Sequence, residues 1–159
     1  REPPGRRLVR YLSMYKKAAG ILEIGCGNGW LSHRLCSVPG SRVIGLDRNL
    51  NELRQAARVF HHQSNLKFIY GDFYSDVLQD LTFDIIVLAA TVQYFPNFPA
   101  ILIDAMAYLR PNGELHVLDS PLYRAGLEGL PHRYLYSPRS FWNRITRKGK
   151  GFPWVCFEK

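Results

Sequence analysis

The stretch Glu23-Ile24-Gly25-Cys26-Gly27-Asn28-Gly29 decides how the rest of the chain reads. It follows a short apolar β-type run, Ile21 to Ile24, and precedes Trp30 to Cys36, where apolar residues return at helical spacing. Glycines at a strand-to-helix junction let the backbone turn tightly and approach a ligand, with a helix N-terminus behind them. Alone the pattern is weak. A dinucleotide fingerprint needs its third glycine at position 30, which here is Trp30. An acid beside the loop, Glu23, also opposes a diphosphate and suits a cationic ligand.

Outward from this loop, β-type and helical runs alternate. Residues 8–19 are helix-compatible, with Leu8, Leu12 and Tyr15 on one face before Gly20. Arg42 to Leu46 predicts a second strand, and Asn49 predicts a helix cap over residues 50–60, with Glu52 three positions on as in a capping box. Leu66 to Tyr70 and Phe83 to Ala90 predict a third and fourth strand, with a short helix at Phe73 to Leu81 between them. Pro99 opens a helix to Leu109, Pro111-Asn112-Gly113 makes a turn, and Glu114 to Leu118 is a fifth strand. Strands without clean alternation, spaced by helices, predict an α/β fold: a Rossmann-like, doubly wound, mostly parallel sheet.

Beyond Asp119 the periodicity weakens. Ser137-Pro138 predicts a helix to about Arg147, and Trp154 to Glu158 a final strand. The whole of 1–159 reads as a single domain, with a helix within residues 1–19 and a substrate-side segment over 120–159.

The composition is that of an ordinary globular protein, with 47% hydrophobic and 21% charged residues. Its longest apolar run, Ile85 to Ala90, is far short of the roughly 20 residues that span a bilayer. With no secretory pattern and three unpatterned cysteines, the expectation is a soluble cytoplasmic protein with reduced thiols, no metal site and no membrane. The net charge of +8 sits at the ends: residues 1–20 and 125–159 each carry +5, while 21–124 carry −2. Such ends read as solvated faces or as a rim attractive to RNA or to an anionic substrate.

Three acids stand at successive strand ends. Asp47 closes the second strand, 18 residues after Gly29, where a carboxylate can accept both ribose hydroxyls. Asp72 closes the third and can accept from an adenine amino group, and Glu23 closes the first. Each alone reads equally well as a turn or helix cap. Together they fit a ligand bound at the carboxyl edge of a sheet.

On these residues the chain resembles the class I S-adenosylmethionine (SAM) dependent methyltransferases, especially those with small substrates. Leu22 to Gly29 resembles the family's first motif, Val43-Ile44-Gly45-Leu46-Asp47 its ribose motif and Gly71-Asp72-Phe73 its adenine motif. Phe83 to Val87 and Leu109 to Glu114 resemble its fourth-strand start and the turn before its fifth strand. The resemblance implies a SAM site, with S-adenosylhomocysteine as product. Gly25, Gly27 and Gly29 would cradle the methionine part beside Glu23 and Cys26. Asp47 would hold the ribose, Asp72 and Phe73 the adenine, with Arg48 and Leu46 packed beside the adenosine. Ala89 and Gln93 would lie near the reactive methyl. The family usually ends in an antiparallel strand pair, of which only Trp154 to Glu158 is legible, so an incomplete or altered pair is expected.

Methyl transfer from a sulfonium is an in-line displacement that chiefly needs alignment and exclusion of water. A general base is needed only where the acceptor must lose a proton. Gln93, Tyr94, Asp119 and Tyr123 follow the fourth and fifth strands and are the candidates on the acceptor side; packing and turn formation explain them as well. Ala89-Ala90-Thr91-Val92-Gln93-Tyr94-Phe95-Pro96 lacks the Asn/Asp-Pro-Pro-aromatic pattern of base-amino methylases. The reading is therefore methyl transfer to O, N or C of a small molecule. An RNA-directed enzyme using the basic ends, or a non-catalytic SAM-binding protein, is the alternative.

Overall fold

The computed structural model describes residues 2–15, 19–120, 133–136 and 154–159. In chain order the elements are α1 (Pro4–Tyr15), β1 (Gly20–Ile24), α2 (Trp30–Leu35), β2 (Arg42–Asp47), α3 (Leu50–Val59), β3 (Leu66–Tyr70), β4 (Phe83–Ala89), α4 (Phe98–Ala107), β5 (Leu109–Leu118), β6 (Arg133–Tyr136) and β7 (Trp154–Glu158). The strands make one sheet in the order β3-β2-β1-β4-β5-β7-β6. The first five run parallel. β7 runs antiparallel to β5, and β6 antiparallel to β7. After β1 the chain winds outward to β3 and returns to β4 on the other side of β1. That reversal opens a crevice at the carboxyl ends of β1 and β4.

Strand side chains alternate between the two faces, and both faces are covered. Leu22, Ile24, Ile86, Leu88, Leu115, Val117, Val155 and Phe157 form one core with Ile101, Leu102 and Ala105 of α4. Ile21, Ile85, Val87, Leu118 and Trp154 form the second core with Leu8 and Leu12 of α1. Glu23, Glu114, His116 and Cys156 fall on this second face by the same alternation.

Several expected boundaries change. α1 begins at Pro4, four residues before Leu8, because proline's fixed φ and missing N–H suit a first helical turn. The expected helix at Phe73 to Leu81 shrinks to a 3₁₀ turn, Asp76–Leu78. Asp72 is the reason: its Oδ1 accepts the Tyr74 N–H, and its carbonyl accepts from Ser75 N–H and Oγ–H, which holds the chain in a turn. β5 starts at Leu109 and not at Glu114. The Pro111-Asn112-Gly113 turn is a bulge inside it, with Leu109 opposite Phe83 and Glu114 opposite Ile85. Asp84 closes this end of the sheet, accepting from Gly20 N–H at 2.7 Å and Arg110 Nη1 at 2.8 Å. The C-terminal strand pair is not incomplete: β6 supplies the partner that residues 120–136 did not reveal. The helix expected near 138–147 lies outside the described residues.

Candidate active site

The glycine loop is held open from below and above. Gly25, Gly27 and Gly29 have φ of 74°, 52° and 77°, where side-chain-bearing residues are strained. Gly25 and Cys26 donate their N–H groups to Leu46 O at 2.8 and 3.1 Å, anchoring the loop to the end of β2. A methyl on Gly25 would sit 2.4 Å from Thr91 Cγ2, and one on Gly27 would sit 2.6 Å from Glu52 Oε2. Gly29 is different. Its missing side chain makes room for Phe68 and Ala56, at 2.6 and 3.0 Å, so the third glycine packs α2 onto the sheet and does not face the crevice.

Asp47 ties the rim together. Its Oδ2 accepts from Gly27 N–H at 2.7 Å and its Oδ1 from Asn49 N–H at 2.7 Å. Asn49 in turn caps α3 by accepting from Asn51 and Glu52. The capping box is half realised: Asp47, and not Glu52, takes the Asn49 N–H, while Glu52 Oε1 accepts from the Asn49 side chain at 3.3 Å.

Two cavities meet across this loop. The larger, about 610 Å³, is lined by Leu46, Asp47, Arg48, Asp72, Phe73 and the Thr91-to-Pro96 side, where Tyr94, 78% exposed, stands on the rim. The smaller, about 400 Å³, is lined by Glu23, Cys26, Trp30, Arg34 and Asp119, together with the first turn of α1. Gly25, Gly27, Glu52 and Ala89 line both. Arg48 and Asp72 pair with one another at 3.2 Å at the edge of the larger cavity.

Burial governs the chemistry of the groups beneath. Glu23 is 3% exposed, and Ser32 Oγ–H donates to it at 2.5 Å. Loss of solvent pushes its carboxyl up to about 8, against the opposing Ser32 hydrogen bonds and with a smaller push from Asp47. Burial also raises the Cys26 thiol, with Glu23 and Asp47 adding to it, so Cys26 is a neutral wall and not a nucleophile. Asp119 is held above the usual carboxylate range by burial, partly opposed by Arg7.

Most of the sequence-derived residues therefore converge. Glu23, Gly25, Cys26, Gly27, Asp47, Arg48, Asp72, Phe73, Ala89, Tyr94 and Asp119 all line the double cavity. Gly29 does not. Gln93 does not either: it is exposed, and its amide donates to Ala90 O at 2.5 Å. Tyr123 lies outside the described residues. Thr91, Glu52 and the α1 turn were missed. Thr91 carries a local signal, a small hydroxyl residue just beyond β4, and its Oγ1 donates to Ala89 O at 2.9 Å. The α1 turn carries none, because its approach to the loop is set by packing.

Comparison with known proteins bears on this arrangement. A family model described as a methyltransferase domain matches residues 15–132. The chain belongs to the class I SAM-dependent methyltransferase family. It is 31% identical over 118 residues to malonyl-[acyl-carrier protein] O-methyltransferase of Halalkalibacterium halodurans, covering 69% of this chain and 44% of that one. It is 32% identical over 120 residues to trans-aconitate 2-methyltransferase of Deinococcus radiodurans, covering 74% and 43%. The chain thus spans less than half the length of these relatives. A TehB-like SAM-dependent methyltransferase from Corynebacterium glutamicum shares the fold, with a TM-score of 0.73 at 20% identity over 99% of this chain and 89% of that one. Among the described residues no helix is long and apolar enough to cross a membrane.

Proposed function

We propose that this chain binds SAM across the two joined cavities and transfers its methyl group to a small-molecule acceptor. The observation that carries the reading is the division of labour across the Gly25–Gly27 loop. On one side stand a nucleoside-sized space with carboxylates at Asp47 and Asp72 and an apolar wall at Leu46 and Phe73. On the other stands a smaller space with both acidic and basic groups, which suits an amino-acid moiety. The acids at Asp47, Glu52 and Asp72 disfavour a diphosphate and so a nicotinamide cofactor. Both sequence relatives are named for small-molecule or carrier-bound acids, which supports a small acceptor.

When bound, SAM supplies an electrophilic methyl on sulfur. The chain's own residues supply placement. The positive-φ glycines let bare backbone form the wall of the crevice, with the Gly25 and Gly27 N–H groups anchored on Leu46 O and Asp47, and Ala89 and Thr91 wall the junction of the two cavities. Asp119 lines the smaller cavity and is the residue placed to accept a proton from an acceptor entering beside the amino-acid moiety, its raised pKa making the ionised form a stronger base. Its backbone φ of 49° holds it at the end of β5 in a strained turn.

The test is calorimetric titration of S-adenosylhomocysteine into the wild type and Asp47→Ala, with melting curves to show that both are folded. The expected result is saturable binding that weakens about 10- to 100-fold in the variant, or ~1.4–2.7 kcal/mol. A folded wild type that binds neither S-adenosylhomocysteine nor SAM would overturn the proposal.

A further inference from the structure

We infer that Tyr74 and Phe95 form an aromatic corner on the rim of the larger cavity that receives an alkylated ammonium group, the cationic end of the acceptor. This rests on the methyl-transfer reading and names the chemical class of its substrate. Both rings line that cavity, with centres 6.4 Å apart and planes at 76°. A cation held about 4.5 Å from the centres of two perpendicular rings sets those centres roughly 6 Å apart. Tyr74, 59% exposed, is held in place from three sides. Its ring meets Phe73 at 5.1 Å, its N–H donates to Asp72 Oδ1 at 2.9 Å, and its hydroxyl lies against the Asp104 carboxylate of α4. Tyr94 adds a third exposed ring to the same rim.

The charge around these rings has one sign. Residues 68–109 contain five aspartates and no lysine, arginine or histidine, within a chain whose net charge is +8. Arginines from outside the segment answer two of them, Arg48 at Asp72 and Arg110 at Asp84. Among the described residues Asp104 has no ion-pair partner, and its carboxylate and that of Asp72 both act on Tyr74. A hydroxyl that donates to a carboxylate leaves its ring richer in electrons, which strengthens the face that attracts a cation. Exposed rings backed by carboxylates suit a weakly hydrated cation and repel an anion. A quaternary nitrogen has no lone pair with which to take a methyl, so the group is a handle and the reacting atom lies elsewhere in the acceptor. Phe95 follows Thr91 along the wall of the larger cavity that leads to the junction at Ala89.

The test is calorimetry on the S-adenosylhomocysteine-loaded protein, with two probes: choline, and neohexyl alcohol, its uncharged isostere with carbon in place of nitrogen. Wild type is expected to bind choline about 10-fold more tightly than the alcohol. Tyr74→Leu keeps an apolar side chain and removes the π face; it should weaken choline binding about 10-fold. Asp104→Asn removes the charge behind the ring and should weaken it about 3-fold, with melting curves showing that each variant is folded. No choline binding by wild type, equal binding of choline and the alcohol, or choline binding untouched in both variants overturns the inference and leaves the cofactor reading intact. If wild type ignores choline and Tyr74→Leu instead loses affinity for S-adenosylhomocysteine, the rings belong to the nucleoside and the inference falls too. A folded wild type that binds neither S-adenosylhomocysteine nor SAM removes the cofactor reading itself.

Discussion

Glu23 and Glu114 are both buried on the α1 face of one sheet, yet their surroundings differ. Glu23, at the end of β1, leans on Ser32 and has its proton held by burial. Glu114, on β5, sits in a matched network. Tyr11 Oη–H donates to its Oε1 and His116 to its Oε2, each at 3.0 Å, and Trp154 Nε1–H donates to His116 Nδ1 at 3.1 Å. Because Nδ1 accepts, the proton of the neutral ring is on Nε2 and points at the carboxylate. Cys156 lies opposite His116 across β5 and β7, and its sulfur, with His116 and Glu114, completes a donor set within 4.8 Å. The ring has both nitrogens engaged within the protein, so this cluster reads as a lock between α1, β5 and β7 and not as a metal centre. The region around Glu23 is less fully matched and borders the cavity. The closed network lies away from it. Polar groups buried to fasten and polar groups buried to serve a ligand can be told apart by how completely their lone pairs and protons are matched.

The largest break in this contrast is His116→Leu. It removes the donor to Glu114 Oε2 and the acceptor of the Trp154 N–H, and should cost about 3–5 kcal/mol of stability, a fall in Tm of at least roughly 6 °C. The fraction that folds should bind S-adenosylhomocysteine as wild type does; a loss of affinity would tie the lock to the site. Next comes Gly25→Ala, which meets Thr91 and a φ of 74° and should cost about 2–4 kcal/mol while also weakening S-adenosylhomocysteine binding. Gly29→Ala, strained against Phe68, sharpens the comparison by lowering Tm with affinity retained in the folded protein.

A further break in the comparison is a pH dependence. The folded state holds the Glu23 proton up to about 8, whereas the unfolded chain releases it near 4.5. That group's contribution is therefore fullest below 4.5, declines through this window and is gone above 8. Glu23→Gln lacks the titration. Its Tm relative to wild type should rise between pH 5 and 8.5. Parallel Tm-versus-pH curves would show that Glu23 is already ionised in the folded protein.

What was legible in the sequence was local. The β3 and β7 spans, the Asn49 cap and the order of the motifs all follow from periodicity and turn chemistry within a few residues. The strand-end acids pointed to the edge of the sheet where the two cavities lie. The remainder depends on distance along the chain. Gly29 looks like its two neighbours until Phe68, from β3, is seen beneath it. Glu23 looks like a solvated carboxylate until the second core closes over it, leaving it at the floor of the smaller cavity with Ser32. Gln93 has the position expected of a site residue, but a carbonyl three residues back captures its amide. Arg133–Tyr136 has too few residues and too little alternation to announce an edge strand, and its pairing with β7 defines it.

The lock between α1, β5 and β7 also has a consequence for the order in which the molecule assembles. Tyr11 and Glu114 are separated by 103 residues, and Trp154 is needed to orient the imidazole. Contacts of such separation carry the loop-closure entropy of nearly the whole chain, and they form after local pairings have shortened the search. On the ribosome the network cannot close until position 154 has emerged. Before then, the α1 face of β5 presents a carboxylate and an imidazole without the strand that covers them. The indole of Trp154 is consequently a natural optical reporter for the closure of this network.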